Sequence, residues 1–318
     1  MSASKATIVI TEFMDTDAVD ALRADFAVHY DPELVDHPQS LQPLLADARA
    51  LIVRNRTQVN AQLLASAPRL ETVGRLGVGL DNIDMEACRQ RDIAVHPATG
   101  ANARAVAEYV IGAALLALRG VFGSSAEVAN GQWPRTALSS GREANGKTLG
   151  LVGFGDIGQL TARLARALDL QVVAYDPFIP DNAALWSAQG VRPLDLKTLL
   201  AQADIISLHV PLNDATRNLL DRAALASTKP GAILINTARG GIIDEAALAE
   251  ALHSGHLGGA IIDVFAQEPL PAASVLAGAP RLWLTPHIAG LTSEANVRVS
   301  ALVGERVSQT LKRPKSPH

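Results

Sequence analysis

Short runs of apolar and β-branched residues alternate along the chain with segments whose apolar positions recur every three or four residues. The first spacing suits strands buried on both faces, the second the helices that cover them. Strands are predicted at 7–11, 27–30, 50–53, 71–75 and 93–96, separated by helix-like stretches at 18–26, 41–48, 62–67 and 85–90. This alternation argues for parallel βαβ units, and the first 100 residues read as one open α/β domain.

A second series starts near Thr148, with strand candidates at 149–152, 172–175, 205–209, 233–237, 260–265 and 282–285. Six strands with intervening helices predict a second doubly wound parallel sheet. Between the two series the apolar positions of 102–119, among them Val106, Tyr109, Val110, Ala113 and Ala117, cover most of a helix circumference. This helix is expected to be buried between domains or subunits. A final helix is predicted at 293–311, ahead of a frayed tail containing Pro and Lys. A length of 318 residues suits two such cores.

Composition narrows the partners. With 48% hydrophobic and 19% charged residues the chain can bury full cores, and its net charge of −4 includes no basic run beyond Lys312-Arg313-Pro314-Lys315. Nucleic acid is not an expected partner. The apolar stretch 110–118 is well short of the roughly 18 residues that span a bilayer, and 1–6 shows no signal-peptide pattern. A cytoplasmic protein without membrane contact is expected. The single cysteine, Cys88, permits no internal disulfide and reads as a small buried hydrophobe rather than a nucleophile.

The sharpest local signal is Gly153-Phe154-Gly155-Asp156-Ile157-Gly158, directly after a predicted strand and before a helix-like stretch at 159–168. In that setting Gly153 permits the tight turn, Gly155 lets backbone approach a pyrophosphate, and Gly158 lets helix pack on strand, while the helix N-terminus offers unpaired N–H donors. Eighteen residues beyond Gly158, at the end of the next strand, Asp176 is placed to bind an adenosine ribose. Its carboxylate would repel a 2′-phosphate, so NAD is expected over NADP. The carboxylate of Asp156 does not favour a pyrophosphate, and only its backbone N–H needs to face one.

Three further residues stand at or beyond the ends of later strands, where open α/β sheets bind ligands. Arg239 follows Asn236-Thr237-Ala238, Glu268 follows Asp263-Val264-Phe265, and His287 follows Thr285-Pro286. Reduction of a 2-oxo acid needs a cation to hold the carboxylate and polarise the carbonyl, and an acid to protonate the forming alkoxide; Arg239 and His287 have those chemistries. A carboxylate bonded to the imidazole would fix its tautomer and keep its proton available near neutrality, and Glu268 is the candidate. Singly, each has a plainer explanation as a surface ion pair, a loop residue or a strand end.

Taken together, Gly74-Arg-Leu-Gly-Val-Gly-Leu-Asp-Asn-Ile-Asp84, Gly153 to Gly158, Tyr175-Asp176-Pro177, His209-Val210-Pro211, Asn236-Thr-Ala-Arg-Gly240, Asp263-Val-Phe265 with Glu268-Pro269, and Pro286-His-Ile-Ala-Gly290 resemble the D-isomer-specific 2-hydroxyacid dehydrogenase family over essentially the whole chain. The resemblance implies a Rossmann cofactor domain, 101–286, inserted into a flavodoxin-like substrate domain made of 1–100 and 287–318, with the reaction in the cleft between them. It implies Arg239 as carboxylate and carbonyl binder, His287 as acid/base and Glu268 as its partner. Backbone at Val78 and Gly79 would cradle the substrate carboxylate. Val210, Thr237, Ala238 and Asp263 would line the nicotinamide side, with Ile157, Pro211, Arg239 and Gly290 also among the cofactor contacts. Relatives are commonly homodimers through the helix that opens the cofactor domain. Many carry Arg where Asp156 stands, which implies modest pyrophosphate affinity here. The chain ends soon after its last helix, so amino-acid feedback through the C-terminal domain of some phosphoglycerate dehydrogenases is not expected.

Formate dehydrogenase shares the architecture, but formate oxidation forms no alkoxide and would leave a Glu–His pair superfluous. The alternative from another class is an NAD(H)-sensing, corepressor-like binding protein on the same fold. The H-x-x-H of His253 and His256 lacks a third ligand, and no metal is expected. His209 reads as a strand-end packing residue. Finally, Arg54, Arg56 and Arg75 could place as many as three guanidinium groups on one side of the cleft. That predicts a substrate with a second anionic group, as in phosphoglycerate or sulfolactate, with Arg54 its foremost contact; the plainer alternative is that Arg54 and Arg56 point into solvent or pair with surface acids.

Overall fold

In the computed structural model residues 7–313 are described; the sequence readings of 1–6 and of the tail beyond Arg313 lie outside the described residues. The chain divides into two units, one running to Asn102 and resuming at Leu291, the other Ala103–Gly290. The second crossing thus falls four residues later than the sequence suggests, and His287 stays with the strands that precede it.

The first unit is built on five parallel strands, β1 (Thr7–Ile10), β2 (Ala27–Tyr30), β3 (Ala48–Val53), β4 (Thr72–Arg75) and β5 (Ala94–Pro97), in the order β2-β1-β3-β4-β5. Ile8, Val9 and Ile10 of β1 and Leu51, Ile52 and Val53 of β3 are all fully buried. Consecutive buried residues show that both sheet faces are covered, which is why these strands read as continuous apolar runs. The helix Ser293–Lys312 covers one face through Val299, Val303 and Val307. It lies so close to β4 that a Cβ on Gly74 would sit 2.6 Å from Val303 Cγ1, which explains a glycine inside a strand.

The second unit has seven parallel strands where the sequence predicts six. They are β6 (Thr148–Val152), β7 (Gln171–Tyr175), β8 (Arg192–Pro193), β9 (Ile205–Leu208), β10 (Ile233–Asn236), β11 (Gly259–Ile262) and β12 (Leu282–Leu284), in the order β12-β11-β10-β9-β6-β7-β8. The extra strand, β8, is two residues long and contains Pro193, which an edge position tolerates. Strand order reverses between β6 and β9, and at such a switch point the loops leaving the strand ends open a crevice.

The helix Ala103–Arg119 turns Val106, Val110, Ala114 and Leu118 into this unit's core beside β6 and β10. Its other face carries the Arg104–Glu108 ion pair and a Leu115 that is 37% exposed, so within its own unit the helix is amphipathic rather than wholly buried. Among the described residues no single helix is long and apolar enough to cross a membrane.

Candidate active site

The glycine loop occupies the turn from β6 into the helix Asp156–Arg166. Gly153 has φ +99°, and a Cβ there would lie 2.7 Å from the His209 carbonyl oxygen; one on Gly158 would lie 2.5 Å from the Gly153 carbonyl oxygen. These two glycines are demanded by close packing. Gly155 differs, since no atom lies within 4 Å of the point where its Cβ would be. It is the N-cap residue and offers no side-chain cap, which leaves the first-turn N–H groups without the usual side-chain partner beside an open space. Asp156 and Ile157 contribute two of them.

Asp176 reaches back from the end of β7. Its Oδ2 accepts the Phe154 N–H at 2.9 Å and its Oδ1 the Phe178 N–H at 3.0 Å, which fixes the carboxylate plane beside the loop. On the other side of the switch point, Val210 follows β9 and Thr237 and Ala238 follow β10. The buried hydroxyl of Thr237 has no hydrogen-bond partner among the described residues, an arrangement that calls for a polar ligand. An open phosphate cradle, a fixed acid and an orphaned hydroxyl along one sheet edge fit a dinucleotide. His209 packs here as well, its Nε2 3.1 Å from Ser207 Oγ, and burial pushes its pKa down to about 4. A neutral packing residue is what the sequence indicates for it.

Arg239 stands in a loop that Asn236 staples from within, accepting the Ala238 N–H at 3.0 Å and donating to the Arg239 carbonyl at 2.9 Å. Asn favours such a short-range side-chain turn, and its place three residues before Arg239 is the signal in the sequence for this role. A Cβ on Gly240 would lie 1.8 Å from the Phe265 carbonyl oxygen, so this loop and the one after β11 run in backbone contact.

That second loop brings Glu268 to His287. Oε1 of Glu268 accepts the Phe265 N–H at 3.0 Å, and Oε2 lies 2.7 Å from Nδ1 of His287. One oxygen anchors the carboxylate while the other orients the ring, leaving Nε2 for a reacting group. His287 itself has φ +55°, a left-handed conformation that costs a non-glycine residue energy. Asp263 holds it there. The Asp263 carbonyl accepts the His287 N–H at 2.9 Å, and its carboxylate, on a residue 1% exposed, accepts the Ile288 N–H at 2.9 Å and the Ala289 N–H at 2.8 Å.

The first unit carries the remaining candidates. The N–H groups of Val78 and Gly79 donate to no backbone carbonyl among the described residues, and Val78 is exposed. Of the three arginines expected to act together, two are otherwise engaged. Arg56 forks onto Asp36, with Nη1 3.0 Å from Oδ2, and Arg75 folds back to donate to the Leu76 carbonyl at 3.0 Å, filling the space a Cβ on Gly77 would need. Arg54 remains. Its guanidinium meets the Asn296 amide oxygen at 2.5 Å, the Phe13 carbonyl at 3.3 Å and the Phe13 ring at 5.6 Å, none of them a carboxylate. Burial pushes its pKa down, opposed by the nearby Glu12.

Glu12 went unnoticed in the sequence. Buried at 4% exposure, its carboxylate accepts the N–H groups of Arg54 and Thr57 on Oε1 and of Asn55 and Arg56 on Oε2, at 2.8 to 3.3 Å. Cys88 is buried, and burial pushes its thiol pKa up, away from reactivity. His253 lies 2.7 Å from the Ala249 carbonyl and His256 3.0 Å from Thr228 Oγ1, and no group among the described residues could hold a metal ion.

Comparison with known proteins bears on this geometry. Residues 111–289 match the model described as "D-isomer specific 2-hydroxyacid dehydrogenase, NAD binding domain". The chain is 54% identical over 304 residues to an (S)-sulfolactate dehydrogenase of Chromohalobacter salexigens, covering 96% of this chain and 98% of that one. It is 44% identical over 280 residues to a D-3-phosphoglycerate dehydrogenase of Mycobacterium bovis, but spans only 52% of that protein's length. A crystal structure of a glyoxylate reductase from Paecilomyes thermophila superposes with a TM-score of 0.84 at 29% identity, covering 98% of this chain and 96% of that one.

Proposed function

Because the chain belongs to the D-isomer-specific 2-hydroxyacid dehydrogenase family and is an NAD-dependent oxidoreductase of 2-hydroxy and 2-oxo acids, we propose that Glu268 and His287 are its proton-transfer pair, Arg239 its carbonyl binder and a dianionic acid its substrate. The 2.7 Å contact between His287 Nδ1 and Glu268 Oε2 carries the first part. Bound NADH supplies the hydride to the carbonyl carbon. In that direction His287 holds a proton on Nε2 for the oxygen that becomes the alcohol, while Nδ1–H stays on Glu268 and the carboxylate balances the imidazolium charge. Arg239 draws electron density from the same oxygen and grips the neighbouring carboxylate. Val78 and Gly79 offer backbone N–H groups to that carboxylate. Asp263 acts mainly by holding the segment on which His287 stands.

The dianion reading rests on Arg54. A partly desolvated guanidinium whose hydrogen-bond partners are an amide and a carbonyl, and whose nearby acid Glu12 is occupied with four main-chain N–H groups, is poised for an anion that arrives with the substrate. Identity over nearly the full length of both chains to a sulfolactate dehydrogenase makes a sulfonate the favoured second group, with phosphate next. Scaffold function of the corepressor kind finds no support, since these relatives are named as dehydrogenases.

Cytoplasmic location and a homodimer complete the proposal. Leu115, Phe122, Val128 and Trp133, on and after the helix Ala103–Arg119, are large apolar residues left exposed, as a surface that receives a second copy would have. The test of function is NADH oxidation with 3-sulfopyruvate, 3-phosphohydroxypyruvate, pyruvate and glyoxylate, in wild type and His287→Ala. The variant is expected to lose about two to four orders of magnitude in turnover while keeping NADH affinity. Full activity in His287→Ala overturns the assignment, and equal efficiency with all four acids overturns the dianion.

A further inference from the structure

Asp263 has a third donor besides the two backbone N–H groups. The Thr285 hydroxyl donates to Asp263 Oδ1 at 2.5 Å, and the Tyr109 hydroxyl lies 2.6 Å from Thr285 Oγ1. Thr285 has one hydroxyl hydrogen, and it is spent on Asp263. The Tyr109 phenol must therefore be the donor to Thr285, which gives the row a direction: Tyr109 to Thr285 to Asp263. Burial, reinforced by Asp263, holds the Tyr109 pKa above its ordinary value, so the phenol keeps its proton at neutral pH.

The row ends where the acid/base is held. Asp263 grips residues 287–289 through its carbonyl and both carboxylate oxygens, and these contacts bracket the left-handed backbone of His287. Both bonds of the row are partly buried, and linked bonds shielded from water polarise one another, so a donor at the far end strengthens the contacts at the near end. We propose that Tyr109 is a positioning residue for His287, acting through Thr285 and Asp263. It ties the acid/base to the interior of the helix Ala103–Arg119, a segment 178 positions away in the chain. The inference rests on His287 being the acid/base. It concerns the aim of the imidazole and assigns Tyr109 no contact with substrate.

Tyr109→Phe, Thr285→Val, their double variant and Thr285→Ser test it, with kcat and KM for the best 2-oxo acid, NADH affinity by nucleotide fluorescence, and the solvent isotope effect on kcat. Tyr109→Phe is expected to lower kcat about three- to thirtyfold, to leave KM and NADH affinity within about twofold, and to raise the solvent isotope effect as proton transfer becomes slower. The double variant should be no worse than Thr285→Val alone, because both break one row, and Thr285→Ser should retain most activity. Thr285→Val interrupts the row from the other side, so the question is answered even where Tyr109→Phe fails to fold. An unchanged kcat and isotope effect, losses that multiply in the double variant, or a fall in NADH affinity that matches the fall in kcat would each overturn the proposal. Tyr109→Phe at wild-type activity beside an inactive His287→Ala removes this inference and leaves the proposed function standing.

Discussion

Glu268 and His287 meet through a single pair of atoms, Oε2 and Nδ1 at 2.7 Å, while the other Glu268 oxygen is fixed by the Phe265 N–H. The carboxylate cannot swing away without losing a second bond, so the ring is aimed before substrate arrives.

Glu268→Gln keeps one acceptor oxygen, which can serve Nδ1–H only by turning the NH2 group toward the Phe265 N–H, and it removes the charge opposite the imidazolium. A bond to a charged group is worth about 1.5–3 kcal/mol against roughly 1 for a neutral one. Turnover in the reductive direction should fall about tenfold, with little change in KM. Kinetics identical to wild type would show that the charge contributes nothing.

Arg239→Lys retains the charge without the planar fork. The Asn236 staple holds the loop whichever residue occupies 239, so the loss should reflect the fork alone. KM for the 2-oxo acid should rise and kcat fall together, by about tenfold or more in kcat/KM. A variant as efficient as wild type would place Arg239 outside the reacting centre.

Asp176→Ala removes the carboxylate that fixes the Phe154 and Phe178 N–H groups and that is expected to meet the adenosine ribose. Use of NADPH relative to NADH should rise about tenfold or more as repulsion of the 2′-phosphate disappears. The KM for NADH should rise as well, because the loop loses its anchor. An unchanged cofactor ratio, or a wild type that prefers NADPH, contradicts the role.

Arg54→Ala should weaken 3-sulfopyruvate or 3-phosphohydroxypyruvate by about ten- to a hundredfold in kcat/KM and leave pyruvate nearly unaffected. Added salt should depress capture of the dianions in wild type more than in the variant. Parallel losses for charged and uncharged side chains would mean that Arg54 supports the fold rather than reads the substrate.

His209 sets a limit on stability in mild acid. Unfolded, its imidazole takes up a proton near 6.5; folded, burial delays this to about 4. Between those values the unfolded chain binds more protons, so stability falls as pH drops, by up to about 1.4 kcal/mol per pH unit. His209→Gln should flatten that decline between pH 6.5 and 4.5 in urea unfolding. Equal slopes for the two proteins would show that the buried ring is not responsible.

The sheets and the glycine loop were legible because each depends on neighbours in sequence or on a fixed spacing, and the Glu268–His287 pair because an acid and an imidazole follow two strands of one sheet and match a family's motifs. Buried runs such as Ile8-Val9-Ile10 advertise parallel strands, and Gly153, Gly155 and Gly158 report on one turn. β8 escaped because two residues with a proline carry no period. Asp263 was read as a cofactor contact, and nothing local could show that its oxygens grip Thr285, Ile288 and Ala289, more than twenty residues on. Distance also hid the fate of Arg56, whose partner Asp36 lies twenty positions back, whereas Arg75 folds onto the carbonyl of its own neighbour Leu76, a conformation that no pattern of residues announces. A guanidinium's partner is chosen by the fold, and Asp36 and the Leu76 carbonyl were nearer than any ligand.

Glu12 lies forty-two positions before the loop whose shape it dictates, and it holds only main-chain atoms there. The consequence is a division of labour. The outline of 54–57 is cast from beneath, indifferent to the side chains mounted on it, so exchange at 54, 55 or 56 alters what the loop displays without moving where it displays it. The weak point of such a loop is its mould: losing Glu12 strands four N–H groups at about 1–3 kcal/mol each where they stay buried.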